Sequence, residues 1–306
     1  MPGRLTAPAS LDERSLDRLL EQLDGAAGGD GLVVDLEGVE FVDPYGMVGL
    51  LEVGHVLAGR GQKPGLRLPR SGDVLRYLAR MGFFRHSEAI FQDTLAPPLP
   101  GAPFGRSEGS DVLLEITRIQ DSQDIHAIIG RVKQRAHTIL ATHLRYDERA
   151  IHGFIVSLSE VCQNIVEHSE ASGYVGIQKY FYQRRLGANV VKIAVMDLGV
   201  GIRASLAPRL AARFGSAWGD RVAVEQALLH GASRFAEAGR GQGLANVRRF
   251  VQEWQGKLAI RSGTARVAVV PAWDHEAPAT RFRRAFPGTQ ISIVLPELRL
   301  PRPRLF

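Results

Sequence analysis

The stretch LAPPLPGAPFGRSEGS, residues 95–110, cuts the chain in two. It holds Pro97, Pro98, Pro100 and Pro103 together with three glycines. Each proline removes a backbone donor and fixes φ, so neither a helix nor a central strand persists through it. The composition is that of a semi-rigid spacer with polyproline character. The 306 residues therefore divide into a unit of residues 1–95, a linker of 96–110 and a unit of 111–306. That matches the length of about two ordinary domains. No internal repeat crosses the linker.

Composition narrows the class. Hydrophobic residues make up 45% of the chain and charged residues 23%, as in ordinary soluble globular proteins. No apolar run approaches the roughly 20 residues that span a bilayer, and the opening MPGRLTAPAS has no signal-peptide core. A cytoplasmic protein off the membrane is expected. The single cysteine, Cys162, excludes an internal disulfide and a cysteine-built metal site. The net charge is +6. Much of the excess sits late in the chain, at Arg281, Arg283, Arg284, Arg299, Arg302 and Arg304. No nucleic-acid recognition signature accompanies these arginines, so a solvated basic tail is expected and a nucleic-acid partner is not.

In the first unit, leucines 11, 16, 19, 20 and 23 predict an amphipathic helix over 11–24, closed by a glycine-rich run. LVVDLEGVEFVD reads as a strand. Asp43-Pro44 then supplies an N-cap and a proline at the first helical position. An apolar helix over 45–58, a short strand over 65–68 and a helix over 71–81 closed by Gly82 complete the set. Strands alternating with helices predict a small α/β unit with a largely parallel sheet. The order strand, FVDPYG, apolar helix, strand, helix resembles the STAS domain of anti-sigma-factor antagonists, over residues 30–90. The residue before the glycine of that family's turn is a phosphorylated serine or threonine. Here Tyr45 stands in that place and Pro44 beside it, so no serine phosphoacceptor is expected.

The second unit turns on SLSEVCQNIVEHS, residues 157–169. Glu160, Asn164 and His168 are four apart, which stacks them along one face of a helix. Val161, Cys162, Ile165 and Val166 give that helix a core face. A buried row of carboxylate, carboxamide and imidazole needs a ligand to offset its desolvation; an exposed polar face has the same spacing. Helices over 124–142 and 147–168 follow a strand over 112–117. Strands over 174–184 and 189–197 come next, joined by a turn at Leu186-Gly187. The second ends at Asp197, followed by Gly199 and Gly201. Residues 202–238 read as a mobile covering segment rich in Ala, Arg and Gly, with a helix near 222–230. Gly239, Arg240, Gly241, Gln242, Gly243 and Leu244 then open a helix over 244–254. Strands near 257–261, 266–270 and 290–295 close the chain.

Each piece has a chemical use. A buried strand-end carboxylate such as Asp197 can accept a hydrogen bond from an amine donor, such as that of adenine, which guanine lacks at that position. Gly199 and Gly201 let the backbone approach a base. Glycine-rich backbone ahead of a helix N-terminus suits phosphate, with Arg240 and Gln242 as added side-chain donors. Ser233-Arg234 is a further candidate phosphate contact or a solvated turn. Glu160 can orient or deprotonate an attacking hydroxyl or water. His168 can meet phosphate or cap its helix.

These motifs, in this order, resemble the GHKL ATPase superfamily, the Bergerat fold shared by gyrase B subunits, MutL, heat-shock chaperones, histidine kinases and anti-sigma-factor serine kinases. The resemblance covers residues 111–296. It implies an α/β sandwich, a mixed sheet with helices on one face. It also implies ATP and Mg²⁺ as ligands, with Asn164 as the Mg²⁺ ligand. His126, His137 and His143 lack the box that histidine kinases place around a phosphoacceptor. Together the two units are similar to partner-switching regulators. The implied partner is a protein such as a sigma factor or its antagonist, with homodimerisation open. Three activities fit: a serine/threonine kinase, a non-catalytic ATP-gated switch, and an ATPase coupled to dimer closure.

Overall fold

The structure, a computed structural model, describes residues 3–24, 31–61, 63–95, 112–169, 171–234 and 243–298. The first unit opens with two short strands that the sequence reading did not find, β1 (Arg4–Thr6) and β2 (Ser10–Leu11). The helix expected over 11–24 is shorter: α1 spans Leu16–Leu20 and tightens into a 3₁₀ turn at Glu21–Asp24. The strand expected next is split into β3 (Val33–Asp35) and β4 (Phe41–Val42). Then come α2 (Pro44–Gly59), β5 (Gly65–Arg67), α3 (Gly72–Arg80), α4 (Phe83–Ser87) and β6 (Gln92–Leu95). Strands β1, β3, β5 and β6 form one sheet in that order, parallel throughout, and β2 pairs with β4. Asp43 caps α2 as expected, its Oδ1 accepting from Gly46 N at 2.9 Å.

The second unit begins with β7 (Val112–Ile119), α5 (Ser122–Ala136), a π turn and α6 (Thr142–Leu144). Next are α7 (Glu148–Asn164), continued by a π turn at Ile165–Ser169, then β8 (Gly173–Tyr182) and β9 (Ala188–Asp197). Three helices follow: α8 (Gly201–Phe214), α9 (Asp220–His230) and α10 (Gly243–Glu253). Long strands β10 (Lys257–Val269) and β11 (Ala279–Pro296) end the fold. The sheet runs β10-β11-β9-β8-β7, and every neighbouring pair is antiparallel rather than mixed.

Strand alternation divides this sheet between two cores. On β9, Val191, Ile193 and Val195 face one core with α5, α7, α9 and α10; Ala194 and Met196 face the other with the first unit. Period-two side-chain direction produces the split. The layer on that second face is α2, which packs on β8 and β9. It is buried continuously from Pro44 to Gly54. A helix apolar all round is stable only when covered all round, and α2 is covered by its own sheet and by the neighbouring one.

The second face also carries cations. Lys257 and Arg261 are each 3% exposed, so each needs a counter-charge. Asp43 of the α2 cap lies 2.5 Å from Lys192 Nζ. Asp17 pairs with Arg261 and Glu13 with Arg266. Lys257 is 2.6 Å from Glu276 and 3.3 Å from Glu13. Burial pushes the Glu13 carboxyl up, but Arg266 and Lys257 outweigh it and hold it below the ordinary carboxylate range.

Removing one member of such a pair strands the other charge. Lys192→Met should therefore destabilise the chain by about 3–5 kcal/mol, and adding Asp43→Asn, which keeps the cap acceptor, should restore most of the loss. Urea unfolding checks this; a Lys192→Met cost below about 1 kcal/mol would contradict the pairing.

Candidate functional site

Asp147 caps helix α7, its carboxylate accepting from Ala150 N at 2.8 Å. Its buried side holds Phe154, Leu158, Val161 and Cys162. Glu160 and Asn164 are half-buried, one turn apart on the adjoining side. Glu160 and Asn164 of that expected row thus keep their helical spacing, and then the helix widens into the π turn. Such turns accompany functional sites in α-helices. His168 falls in this turn, and its side chain lies outside the described residues, as do Gly239, Arg240, Gly241 and Gln242.

The π turn brings Ser169 against the end of β9. Ser169 O accepts from Val200 N at 2.9 Å. A Cβ on Gly199 would sit 1.9 Å from that same carbonyl oxygen, so only glycine fits there. Asp197 is 5% exposed, and its Oδ1 accepts from Gly199 N at 2.8 Å. Burial raises its pKa to about 6, against the lowering by backbone N–H groups of Gly199 and Thr289. Gly201 has φ +74° and starts α8.

Asn164, Asp197, Gly201 and Leu244 line one cavity. It is a partly open pocket of about 70 Å³. The carboxamide nitrogen of Asn164 is buried with no hydrogen-bond partner among the described residues. Among the described residues, nothing therefore fixes which end of that amide faces the cavity. Glu160 is not in the lining. Its carboxylate lies beside Gly243, where a Cβ would come within 2.4 Å of Oε2. Burial, then the neighbouring Glu167 charge, raises the Glu160 pKa.

Sequence reasoning missed Ser205, Leu206, Thr289 and Ile291, which share the cavity. Ser205 and Leu206 belong to α8, inside the segment expected to be an irregular cover. Ile202, Leu206 and Leu210 are four apart and carried the helical signal; Pro208, inside the helix, argued against it. Thr289 reaches the site because β11 pairs it with Asp197, and strand register is not visible in sequence. Ser233 and Arg234 do line the cavity, and Arg209 Nη1 donates to Ser233 O at 2.5 Å.

Residues 153–299 match the profile of the family described as histidine kinase-, DNA gyrase B-, and HSP90-like ATPase. These residues form a GHKL ATPase domain. Among solved structures, the histidine kinase domain from the blue-light activated histidine kinase of Erythrobacter litoralis EL346 is similar at 14% identity and a TM-score of 0.27, covering 83% of this chain and 86% of that one. No curated protein matches the chain. The GHKL domain contains α7 from Gly153 onward, both cavity-lining strand ends and α10. Among the described residues, no helix is long and apolar enough to cross a membrane.

Asp197 gives a pH signature. Its folded pKa of about 6 exceeds the 3.8 of a free side chain. The folded state then holds the proton more tightly, so stability falls as pH rises from about 4 to about 6. Asp197→Asn should remove that loss, adding up to about 3 kcal/mol at pH 7 at 1.36 kcal/mol per pH unit. Equal stability of the two proteins from pH 4 to pH 7 would contradict the burial of this charge.

Proposed function

We propose that the chain is an ATP-binding regulatory protein whose second unit binds Mg-ATP and passes its γ-phosphoryl group to a hydroxyl on a protein partner. The observation that carries this reading is the buried Asp197 carboxylate sharing a cavity with Asn164 inside a GHKL domain. In this reading Asp197 accepts from the adenine amine, and Leu206 and Ile291 flank the base. Leu244 stands at the start of α10, whose N-terminus favours phosphate. Mg²⁺ neutralises phosphate charge when bound and prefers oxygen ligands. Asn164 fits that preference: its amide is uncommitted among the described residues, so its oxygen is free to turn to the metal.

Glu160 accepts the proton from the attacking hydroxyl. Its raised pKa suits that task, and its place beside Gly243 sets it at the start of α10. In this reading α8, α9 and the residues up to Arg234 wall the nucleotide. Helices, rather than irregular chain, then serve as the cover. Catalysis would be mainly positioning and charge neutralisation.

The first unit, in this reading, is a STAS-like module spanning residues 1–95, joined by a linker of 96–110. Its parallel strands and the strand–DPYG–α2 order support that resemblance. It does not accept phosphate at the turn: Tyr45 is 6% exposed, and burial raises the phenol well above its ordinary pKa. The partner is a protein regulator, such as a sigma factor or its antagonist, acting in the cytoplasm.

ATP with Mg²⁺ should stabilise the chain thermally, by about 2.7 kcal/mol at 100 times its Kd, and GTP much less. Equal stabilisation by both would remove adenine selection; no shift with either would remove the nucleotide reading. Asn164→Ala should weaken Mg²⁺-dependent binding. Glu160→Ala should leave binding nearly intact and lower phosphoryl transfer or hydrolysis by about 10²-fold. If the wild type and Glu160→Ala release or transfer phosphate equally, ATP serves as a gate for partner binding instead.

A further inference from the structure

Three polar side chains stand in one row across the five-stranded sheet. Asp197 of β9 pairs with Thr289 of β11, and Thr289 pairs with Ser262 of β10. Directly opposed residues share a face, so Ser262 continues the Asp197–Thr289 row on the helix-covered side. Leu258 and Ile260, four and two residues earlier on β10, belong to the helix-side core and agree with that placement. Asp197 and Thr289 line the candidate pocket; Ser262 is 3% exposed and lies outside the lining. Its hydroxyl is used twice. Ser262 Oγ donates to Gly288 O at 2.8 Å and accepts from Ile202 N at 3.0 Å. Ile202 is the second residue of α8 and lines the pocket; an amide in a first turn has no partner within its own helix. Gly288 precedes Thr289, and a Cβ there would come within 1.9 Å of Asp197 O. One buried oxygen thus joins the two segments that flank Asp197.

The next two residues hold the other covering helix. The β10–β11 pairing shifts register on both sides of Gly263. Gly263 has φ +62°, in the left-handed region that glycine tolerates. Breaks of this kind in a ladder re-aim the neighbouring groups. Thr264 N and Thr264 Oγ1 both donate to Asp220 Oδ2 at 2.8 Å. A Cβ on Gly263 would lie 2.4 Å from that same oxygen. Asp220 opens α9, and α9 supplies Ala227 to the pocket wall. Three consecutive residues of β10 therefore meet the start of α8 and the start of α9.

We infer that Ser262 is a positioning residue of the nucleotide site, and that Ser262 and the Thr264–Asp220 contact together fix both helical walls against the Asp197 strand end. The inference rests on the adenine-nucleotide reading of that pocket. Ser262 acts through Ile202 and Gly288 rather than on the ligand. A wall held in place before the ligand arrives spares binding the cost of ordering it. Without the hydroxyl, Gly288 O loses its donor in a buried place, Ile202 N loses its acceptor, and the start of α8 loses this bond to β10.

The test compares Ser262→Ala with Ser292→Ala in the full chain. Ser292 of β11 is 4% exposed and donates to Glu13 Oε2 at 3.0 Å. It pairs with Ala194, on the opposite face of the sheet. Each variant deletes one buried hydroxyl, and each should unfold at a lower urea concentration than the wild type. Mg-ATP affinity, measured calorimetrically well below the unfolding transition, should separate them. Kd should rise about tenfold or more in Ser262→Ala, for two hydrogen bonds lost, and stay at the wild-type value in Ser292→Ala. Hydrogen exchange without nucleotide reads the contact itself: the Ile202 amide should exchange about tenfold faster in Ser262→Ala, with the β9 amides unchanged. Thr264→Val deletes one of two bonds to Asp220 and should raise Kd about fivefold, the usual worth of one hydrogen bond; it decides the matter alone if Ser262→Ala does not fold. A wild-type Kd in Ser262→Ala or Thr264→Val, an equal rise in Ser292→Ala, or unchanged exchange at Ile202 overturns the inference while leaving the nucleotide reading intact. A wild type that binds no Mg-ATP removes the nucleotide reading and this inference with it.

Discussion

The five-stranded sheet is buried on both faces, and its second face holds cations that cannot stay buried alone. An uncompensated buried charge costs several kcal/mol. Asp43 and Asp17, each from the first unit, meet Lys192 and Arg261 respectively; Glu13 meets Arg266. The first unit is therefore not an appendage on a tether. It completes the sheet's electrostatics as α2 completes its apolar packing, with Tyr174 and Met196 sharing a core with Leu50, Leu51 and Met81.

This double burial places the candidate site. The helix-facing side chains of β9 and β11 hold α7, α9 and α10 in one layer, and the close approach of α10 to α7 brings Gly243 beside Glu160. The strand end carrying Asp197 is fixed between the π turn of α7 on one side and α2 beneath. Glu52 of α2 is 1% exposed. Burial first, then the Asp197 charge, pushes its pKa well above the ordinary carboxylate value. A change at the strand end is thus felt electrostatically within the first unit.

Sequence made the local parts legible where local chemistry decides them. The Asp43-Pro44 cap, the spacing of Glu160 and Asn164 on one helix, and Asp197 at a strand end all follow from residue type and period. The glycines of the Asp197 turn were legible for the same reason. What could not be read depends on pairing across the chain. Lys192, Lys257, Arg261 and Arg266 alternate with apolar residues, as on a strand with one wet face, yet the first unit covers them. Antiparallel register, which sets Thr289 opposite Asp197, leaves no mark in either strand alone. The short strands β1 and β2 hold too few residues to show a period, and α8 was obscured by Pro208 within it.

The central claim is that an adenine nucleotide occupies the cavity between Asn164 and Asp197. A crystal structure of the full chain with Mg²⁺ and a non-hydrolysable ATP analogue tests it most directly. The account predicts the adenine amine within hydrogen-bond distance of Asp197 and the metal within coordination distance of Asn164. A nucleotide bound elsewhere with that cavity empty, or a base held without contact to Asp197, would contradict it.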